Sequence, residues 1–331
     1  MECVIESVVT KRLGALPVAA EFLRRLDVAG IVDALCPPDP RAELTHGQMI
    51  EVLGANRLTA PALLFRDGDR ARSWAVEKVF GVEAHLLGDD RLARALDAIA
   101  PHLDRPAGSV GAAAIAGFGI GVARTHWDMT SMSVHGAYPE AGQDEDYPMV
   151  KFGHPKDRRV DLKQVRAWHF DEQVPAAQAA ADGWYALIAS RPIEQATPAQ
   201  VLLDYRGQGD AERRYGDVKG ATGGHPSVVQ HARRVAALVQ IVCLALLVFC
   251  LIERQVRQAL ERDGDGTMPG IHPGRRRVRP TGRMILHHLG ELQLRIRRAT
   301  DPPTIILSQV VRVDLIDPLG PAVRRPRWLQ T

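Results

Sequence analysis

Residues 205–219 read Tyr205-Arg206-Gly207-Gln208-Gly209-Asp210-Ala211-Glu212-Arg213-Arg214-Tyr215-Gly216-Asp217-Val218-Lys219. Gln208, Glu212 and Lys219 follow Tyr205 at offsets of three, seven and fourteen. A helix turns about 100° per residue, so these four side chains line one stripe. Ala211, Tyr215 and Val218 form a second, apolar stripe suited to a core. A carboxylate held on a helix between an aromatic ring, an amide and an ammonium is suited to handling a metal or a phosphate. The spacing fits equally an ordinary amphipathic helix whose polar face meets water. Gly207 and Gly209 each weaken such a helix by about 1 kcal/mol relative to alanine.

Working outward, Thr197-Pro198 supplies a cap and a first-turn proline for a helix leading into Tyr205. Gly220 to Pro226 is a turn-rich loop. The run from Val235 to Ile252 is apolar except for Gln240. By length it is a borderline membrane span or a buried core helix. Upstream, Val122 to Val134 alternates in a strand-like way, with Trp127, Met129, Ser131 and Ser133 against Asp128, Thr130 and Met132. An acid on a buried strand is costly unless it is paired or binds a cation, which singles out Asp128.

Two of these segments, taken together, resemble a known family. Tyr205, Glu212 and Lys219 match the Tyr-x2-Arg-x3-Glu-x6-Lys signature of one branch of the DDE transposases of bacterial insertion sequences, with Gln208 where that family has arginine. Asp128-Met129-Thr130-Ser131-Met132-Ser133-Val134-His135-Gly136 resembles the family's strand bearing its first catalytic aspartate, and Gly153 to Val165 resembles the next strand and its lead-in. The resemblance implies a ribonuclease-H-like core in which Asp128 and Glu212 are catalytic and hold Mg²⁺ or Mn²⁺. Tyr205, Gln208, Arg213 and Lys219 would contact DNA. The implied activity is metal-dependent DNA cleavage and strand transfer, with transposon ends and target DNA as partners.

The family pattern breaks after Val165. The expected second catalytic aspartate sits on a strand of its own, and parallel strands need crossovers of a dozen residues or more. Here Arg166 to Gln173 passes within a few residues to Gln178–Ser190, which resembles a strand lying well downstream in the family. The chain therefore reads as an internally deleted copy with its junction near 167–181, catalytically impaired for want of an acid. An inert DNA-binding remnant or regulator of transposition is the alternative, and a membrane-associated protein built on Val235 to Ile252 is another. The family carries a similar apolar helix inside its catalytic domain, so the resemblance implies a buried helix and no membrane.

The flanks complete an α+β or α/β expectation: a helical amino-terminal domain (1–107), a truncated core (108–262) and an arginine-rich extension (263–331). Helical spacing recurs over Pro17–Leu35, from a Thr45 N-cap to about Leu58, over Asp69–Phe80, and over Leu92, Ala95, Leu96, Ile99 and Leu103. The first 105 residues thus read as all-helical. Leu44-Thr45-His46-Gly47-Gln48, Asn56-Arg57-Leu58 and Asp89-Asp90-Arg91-Leu92 resemble the family's amino-terminal domain, for which binding of the transposon end is implied.

Net charge is +3, but Ile271–Thr331 holds twelve arginines against four acids, so the remainder is negative. An arginine-only tail suits forked phosphate contacts and equally suits a genome that writes arginine for every surface cation. Gly264–Pro280 reads as a linker and Met284–Arg298 as an amphipathic helix. Cys3, Cys36, Cys243 and Cys250 show no metal spacing and suit a reduced cytoplasmic protein, with no signal peptide expected. A homodimer is compatible with all of this. No phosphate loop, HExxH or GxSxG motif is present.

Overall fold

The computed structural model describes residues 5–59, 72–122, 132–135, 147, 149–152, 163–166, 197–206, 209, 213–214, 216, 227–228, 231–299, 304–308, 317–319 and 323. Over these the chain is helix-rich with short strands, an α+β architecture. In order come β1 (Ile5–Arg12), α1 (Leu16–Arg25), α2 (Val28–Leu35), α3 (His46–Thr59), α4 (Val76–Phe80), α5 (Asp89–Ile99) and α6 (Asp104–Phe118). Then follow β2 (Met132–His135), β3 (Met149–Phe152), β4 (Lys163–Arg166), α7 (Pro198–Arg206) and β5 (Ser227–Val228). The last group is α8 (Ala232–Asp263), β6 (Met268–Pro269), β7 (Arg277–Val278), α9 (Gly282–Gly290), β8 (Gln293–Ala299) and β9 (Thr304–Ser308).

Helix α3 begins as its sequence requires. The Thr45 hydroxyl accepts from Gln48 N–H at 3.1 Å, and the Gln48 side chain accepts from Thr45 N–H at 3.0 Å. This reciprocal box satisfies two donors that a helix start leaves open, and is worth about 1 kcal/mol. Almost every residue of α3 from Gly47 to Leu58 is buried, so the helix is enclosed on all sides. Gly47 lets α2 approach closely, since a Cβ there would lie 2.3 Å from Ala29 O.

Helix α8 is the axis of the core, packing against α1, α3, α5, α6 and α9. Its Val248, Phe249 and Ile252 are each at most 1% exposed. Burying one such side chain contributes about 1.5–3 kcal/mol. This helix is long and apolar enough to cross a membrane, but 61% of its most apolar window is buried within the protein. The run Val235–Ile252 is thus largely enclosed by the helices around it. The same core includes Leu13, Phe22, Leu53 and Leu96 from the amino-terminal part and Ile285, Leu289 and Leu294 from the carboxy-terminal part.

Four local expectations change. Residues 5–12 form a strand rather than belonging to an all-helical segment, because β1 pairs antiparallel with β8 at the far end of the chain. The Asp69–Phe80 run is interrupted among its described residues at Trp74, which bridges to Arg12 while Ala75 N–H donates to Arg12 O at 2.8 Å. The helix expected over Met284–Arg298 stops at Gly290, and Leu292, Leu294 and Ile296 continue at the period of two that suits a strand. Residues 264–280 are also folded: β6 pairs with β7, and Met268 and Ile271 are 2% and 3% exposed.

The strands form a three-stranded sheet in the order β1-β8-β9, a four-stranded sheet in the order β3-β4-β2-β5, and the β6-β7 hairpin. Within the four-stranded sheet β2 has an antiparallel neighbour, β4, and a parallel one, β5.

Candidate functional site

The segment around Tyr205 begins where its cap residues place it. Thr197 Oγ1 accepts from Gln200 N–H at 3.2 Å, with Pro198 opening α7. Beyond Arg206 the described residues Gly209, Arg213, Arg214 and Gly216 are helical. Tyr205 is 42% exposed, and Arg213 is also exposed. Arg214 turns inward. It donates from Nη1 to Glu253 Oε2 at 2.9 Å and from Nη2 to Oε1 at 2.5 Å, a two-pronged contact with α8. Asp128, Gln208, Glu212 and Lys219 lie outside the described residues.

Glu253 is the most enclosed acid in the described structure, at 2% exposure. Besides Arg214 it receives Arg257 Nη1 at 2.6 Å, one helical turn along α8. It also receives the N–H of Gly282 at 2.6 Å, in the first turn of α9. Burial alone would raise this carboxyl. The hydrogen bonds from Arg214 and Gly282 and the charges of Arg214 and Arg257 outweigh burial and hold it below the usual glutamate range. A buried carboxylate with a full set of donors is tolerated where an unpaired one is not. The node joins the 205–219 segment, α8 and the start of α9, whose cap Thr281 accepts from Met284 N–H at 3.3 Å. Gly282 is required there, since a Cβ would lie 2.5 Å from the Phe249 ring.

A second ionic node fixes the start of α8. Asp97 on α5 accepts from Arg234 Nη2 at 2.7 Å and from Arg233 Nε at 2.8 Å. Hydrogen bonding from Arg234, opposed by partial burial and helped by Arg233, lowers the Asp97 carboxyl to about 2. A cleft of about 400 Å³ lies between the α3 start and α5, lined among others by Arg41, His46, Arg91 and Arg94. Arg91 is held by Glu43 at 3.0 Å and Arg94 by Asp90 at 2.6 Å, so much of its positive charge is neutralised locally. A smaller cavity of about 190 Å³ between α2, α6 and α8 is apolar, lined by Val32, Ile50, Val110 and Leu244 among others.

Among the described residues no group of three or more His, Cys, Asp or Glu side chains is placed to hold a metal ion. Of the residues singled out from sequence, Tyr205 and Arg213 are described, and both meet solvent. The sequence reading missed Arg214, Glu253 and Gly282. A signal was available: Glu253 closes the long apolar run, with Arg257 four residues on.

The described geometry therefore defines an α+β protein in which a helical segment carrying an exposed tyrosine is anchored to a central apolar helix through a buried carboxylate. Residues 8–103, from β1 to just beyond α5, match the family described as a domain of unknown function (DUF4277), a description that assigns no activity. No curated protein and no solved structure matches the chain.

Proposed function

We propose that this protein is an internally deleted DDE transposase of the branch with the Tyr-Arg-Glu-Lys signature, built on a truncated ribonuclease-H-like core and acting in the cytoplasm. The observation that carries the reading is the parallel pairing of β2 with β5, with Val134 opposite Ser227. β2 begins four residues after Asp128, and β5 follows the 205–219 segment, so the strand after Asp128 runs beside the strand after that segment. Parallel neighbours require a crossover between them, and α7 with the helical residues after it lies on that crossover.

The Arg214 anchor supports the same reading. Glu212 is two residues from Arg214, so on one continuous helix it lies about 200° away. Tyr205, nine residues back, lies about 180° away, and it is indeed exposed. On that spacing Gln208 and Lys219 fall on the far side too, so on a continuous helix an Arg214 fixed on α8 would present the whole stripe away from it.

Asp128 and Glu212 are oxygen donors of the kind Mg²⁺ or Mn²⁺ takes. Two such ions, when bound, would activate the attacking oxygen and stabilise the leaving one. The chain's own part would be to hold them through Asp128 and Glu212 and to position DNA through Tyr205, Gln208, Arg213 and Lys219. Gln208 donates a hydrogen bond without charge, which weakens what an arginine would do there. With the second aspartate deleted, the ligands would position the reacting groups poorly, and a 1 Å misplacement alone costs about a hundredfold.

The test is Mg²⁺- or Mn²⁺-dependent nicking of a matched end sequence by the purified chain, with Asp128→Ala as control. The expected result is no cleavage above that control. Cleavage lost in the control would mean that another acid completes the site and that the copy is active. Terminal inverted repeats and a longer sister copy in the flanking DNA are expected as well, and their absence would contradict the origin.

A further inference from the structure

The three-stranded sheet β1-β8-β9 joins the two ends of the chain and has two unlike faces. One face has Lys11 opposite Leu294 and Val9 opposite Ile296, and on it the β8 side chains turn inward while Val9, toward the outer end of β1, is 38% exposed. Leu294 is fully buried, Ile296 packs on the core, and Lys11 is paired with Glu77 at 3.5 Å. The other face carries Thr10 opposite Arg295 and Arg12 opposite Gln293, and all four side chains are exposed. Val8, opposite Arg297 one step further along the same face, is 52% exposed.

The charge on this face is unbalanced. By the register it takes Arg12, Arg295 and Arg297, while Lys11 belongs to the other face, and the one acid in the three strands is Glu6. Other arginines of the carboxy-terminal part are engaged within the fold, Arg277 with Asp265 at 3.3 Å and Arg279 with Glu261 at 2.6 Å. Arg12 and Arg295 make no side-chain hydrogen bond or ion pair among the described residues. They lie diagonally across adjacent strands, a separation of about 7–8 Å between backbones. Two guanidinium groups so placed, beside the hydroxyl of Thr10 and the amide of Gln293, match consecutive phosphates along a nucleic-acid strand in charge and in donor chemistry.

We propose that the outer face of this sheet, centred on Arg12 and Arg295, is a docking surface for the phosphate backbone of double-stranded DNA. It rests on the reading of the protein as DNA-binding and adds a surface built on elements other than the 205–219 segment. The contact is to phosphates rather than base edges, so it holds and orients the duplex without reading sequence. Building one face from the two ends of the chain makes DNA binding depend on β1–β8 pairing.

The experiment measures affinity of the full-length protein for a duplex of arbitrary sequence over a range of KCl concentrations. Arg12→Gln with Arg295→Gln is compared with wild type and with Arg105→Gln, an exposed arginine on α6. Each phosphate contact contributes about 0.9 to the slope of log affinity against log salt, so the double variant is expected to flatten the slope by about 1.8, while Arg105→Gln leaves it unchanged. Thr10→Glu, which places a carboxylate on the same face, is expected to weaken binding on its own. Arg12→Lys with Arg295→Lys should retain most of the slope. An unchanged slope in the glutamine pair and unchanged affinity in Thr10→Glu would overturn this surface while leaving DNA binding elsewhere intact. Wild-type protein that binds no duplex at any salt concentration would overturn both readings. Binding to anionic lipid vesicles that needs Arg12 and Arg295, without a response to DNA, would overturn the choice of partner.

Discussion

Arg214 sets its two terminal nitrogens on the two carboxylate oxygens of Glu253, at 2.9 and 2.5 Å, and so ties the 205–219 segment to the central helix α8. The partners are unequal. Glu253 is almost fully enclosed and serves Arg214, Arg257 and Gly282 at once, whereas the Arg214 side chain is 30% exposed. Glu253→Ala should therefore cost about 3–5 kcal/mol, because it strands the buried Gly282 N–H and leaves two half-buried guanidinium groups without their shared counter-charge. Arg214→Ala should cost less, about 1.5–3 kcal/mol, since Arg257 and Gly282 still satisfy the carboxylate. Urea unfolding of both variants checks the order, and an equal or reversed order would contradict this account of the node.

Two glycines at opposite ends of α9 should respond in opposite ways to alanine. At Gly282 a Cβ would lie 2.5 Å from the buried Phe249 ring, so Gly282→Ala forces repacking and should destabilise by about 1–3 kcal/mol. At Gly290 a Cβ meets nothing within 4 Å and the backbone is not left-handed, so Gly290→Ala should be neutral or stabilise by up to about 1 kcal/mol. Thermal melts of the two variants would show shifts of opposite sign, or a loss at Gly282 alone.

Acid sensitivity should come from the node at the start of α8. Asp97 has its folded carboxyl lowered to about 2 by Arg234 and Arg233, against about 3.9 in an unfolded chain. Its contribution is present above pH 4 and is lost as pH falls from about 4 to 2. With Asp97 28% exposed, solvent screening reduces this to about 1 kcal/mol. Asp97→Asn should flatten the stability profile in that window, and a profile identical to wild type would contradict the assignment.

Glu51 should act in the opposite sense. Burial raises its carboxyl, with only the Ala29 N–H, at 3.4 Å, and the charge of Arg24 working the other way, while Asp27 and Asp33 add to the rise. A raised folded value means stability is fully present at low pH and is lost as pH climbs through it. Glu51→Gln keeps an acceptor for Ala29 and removes that loss, so its melting temperature at neutral pH should exceed wild type. A lower melting temperature at neutral pH would show that the charge itself is needed.

Helices that carry their own period and caps were readable from the sequence. Thr45 and Gln48 mark the start of α3, and Leu92, Ala95, Leu96 and Ile99 mark the buried side of α5. The strands at the two ends were not readable, because their partner is distant: Ile5–Arg12 is extended through pairing with Gln293–Ala299, and β1 has Val8 and Val9 both exposed rather than alternating. The helical reading of Met284–Arg298 overran Gly290 because Leu289 and Leu292 fit either period until Leu294 is seen to be buried. Of the residues singled out for a site, Tyr205 and Arg213 are exposed beside the inward Arg214, and Asp128, Gln208, Glu212 and Lys219 lie outside the described residues. The anchor itself depends on a contact between residues 39 positions apart, which no local pattern announces.

The proposed function requires Asp128 and Glu212 to lie close together, as two metals about 4 Å apart would need carboxylates within about 10 Å of one another. The most direct measurement is the distance between spin labels at Asp128→Cys and Glu212→Cys, in a background with Cys3, Cys36, Cys243 and Cys250 replaced by alanine. It needs neither metal nor activity. Strong dipolar broadening, relative to the two singly labelled proteins, is the predicted result. Spectra that are the plain sum of the two single labels would place these residues apart and contradict the assignment of the site.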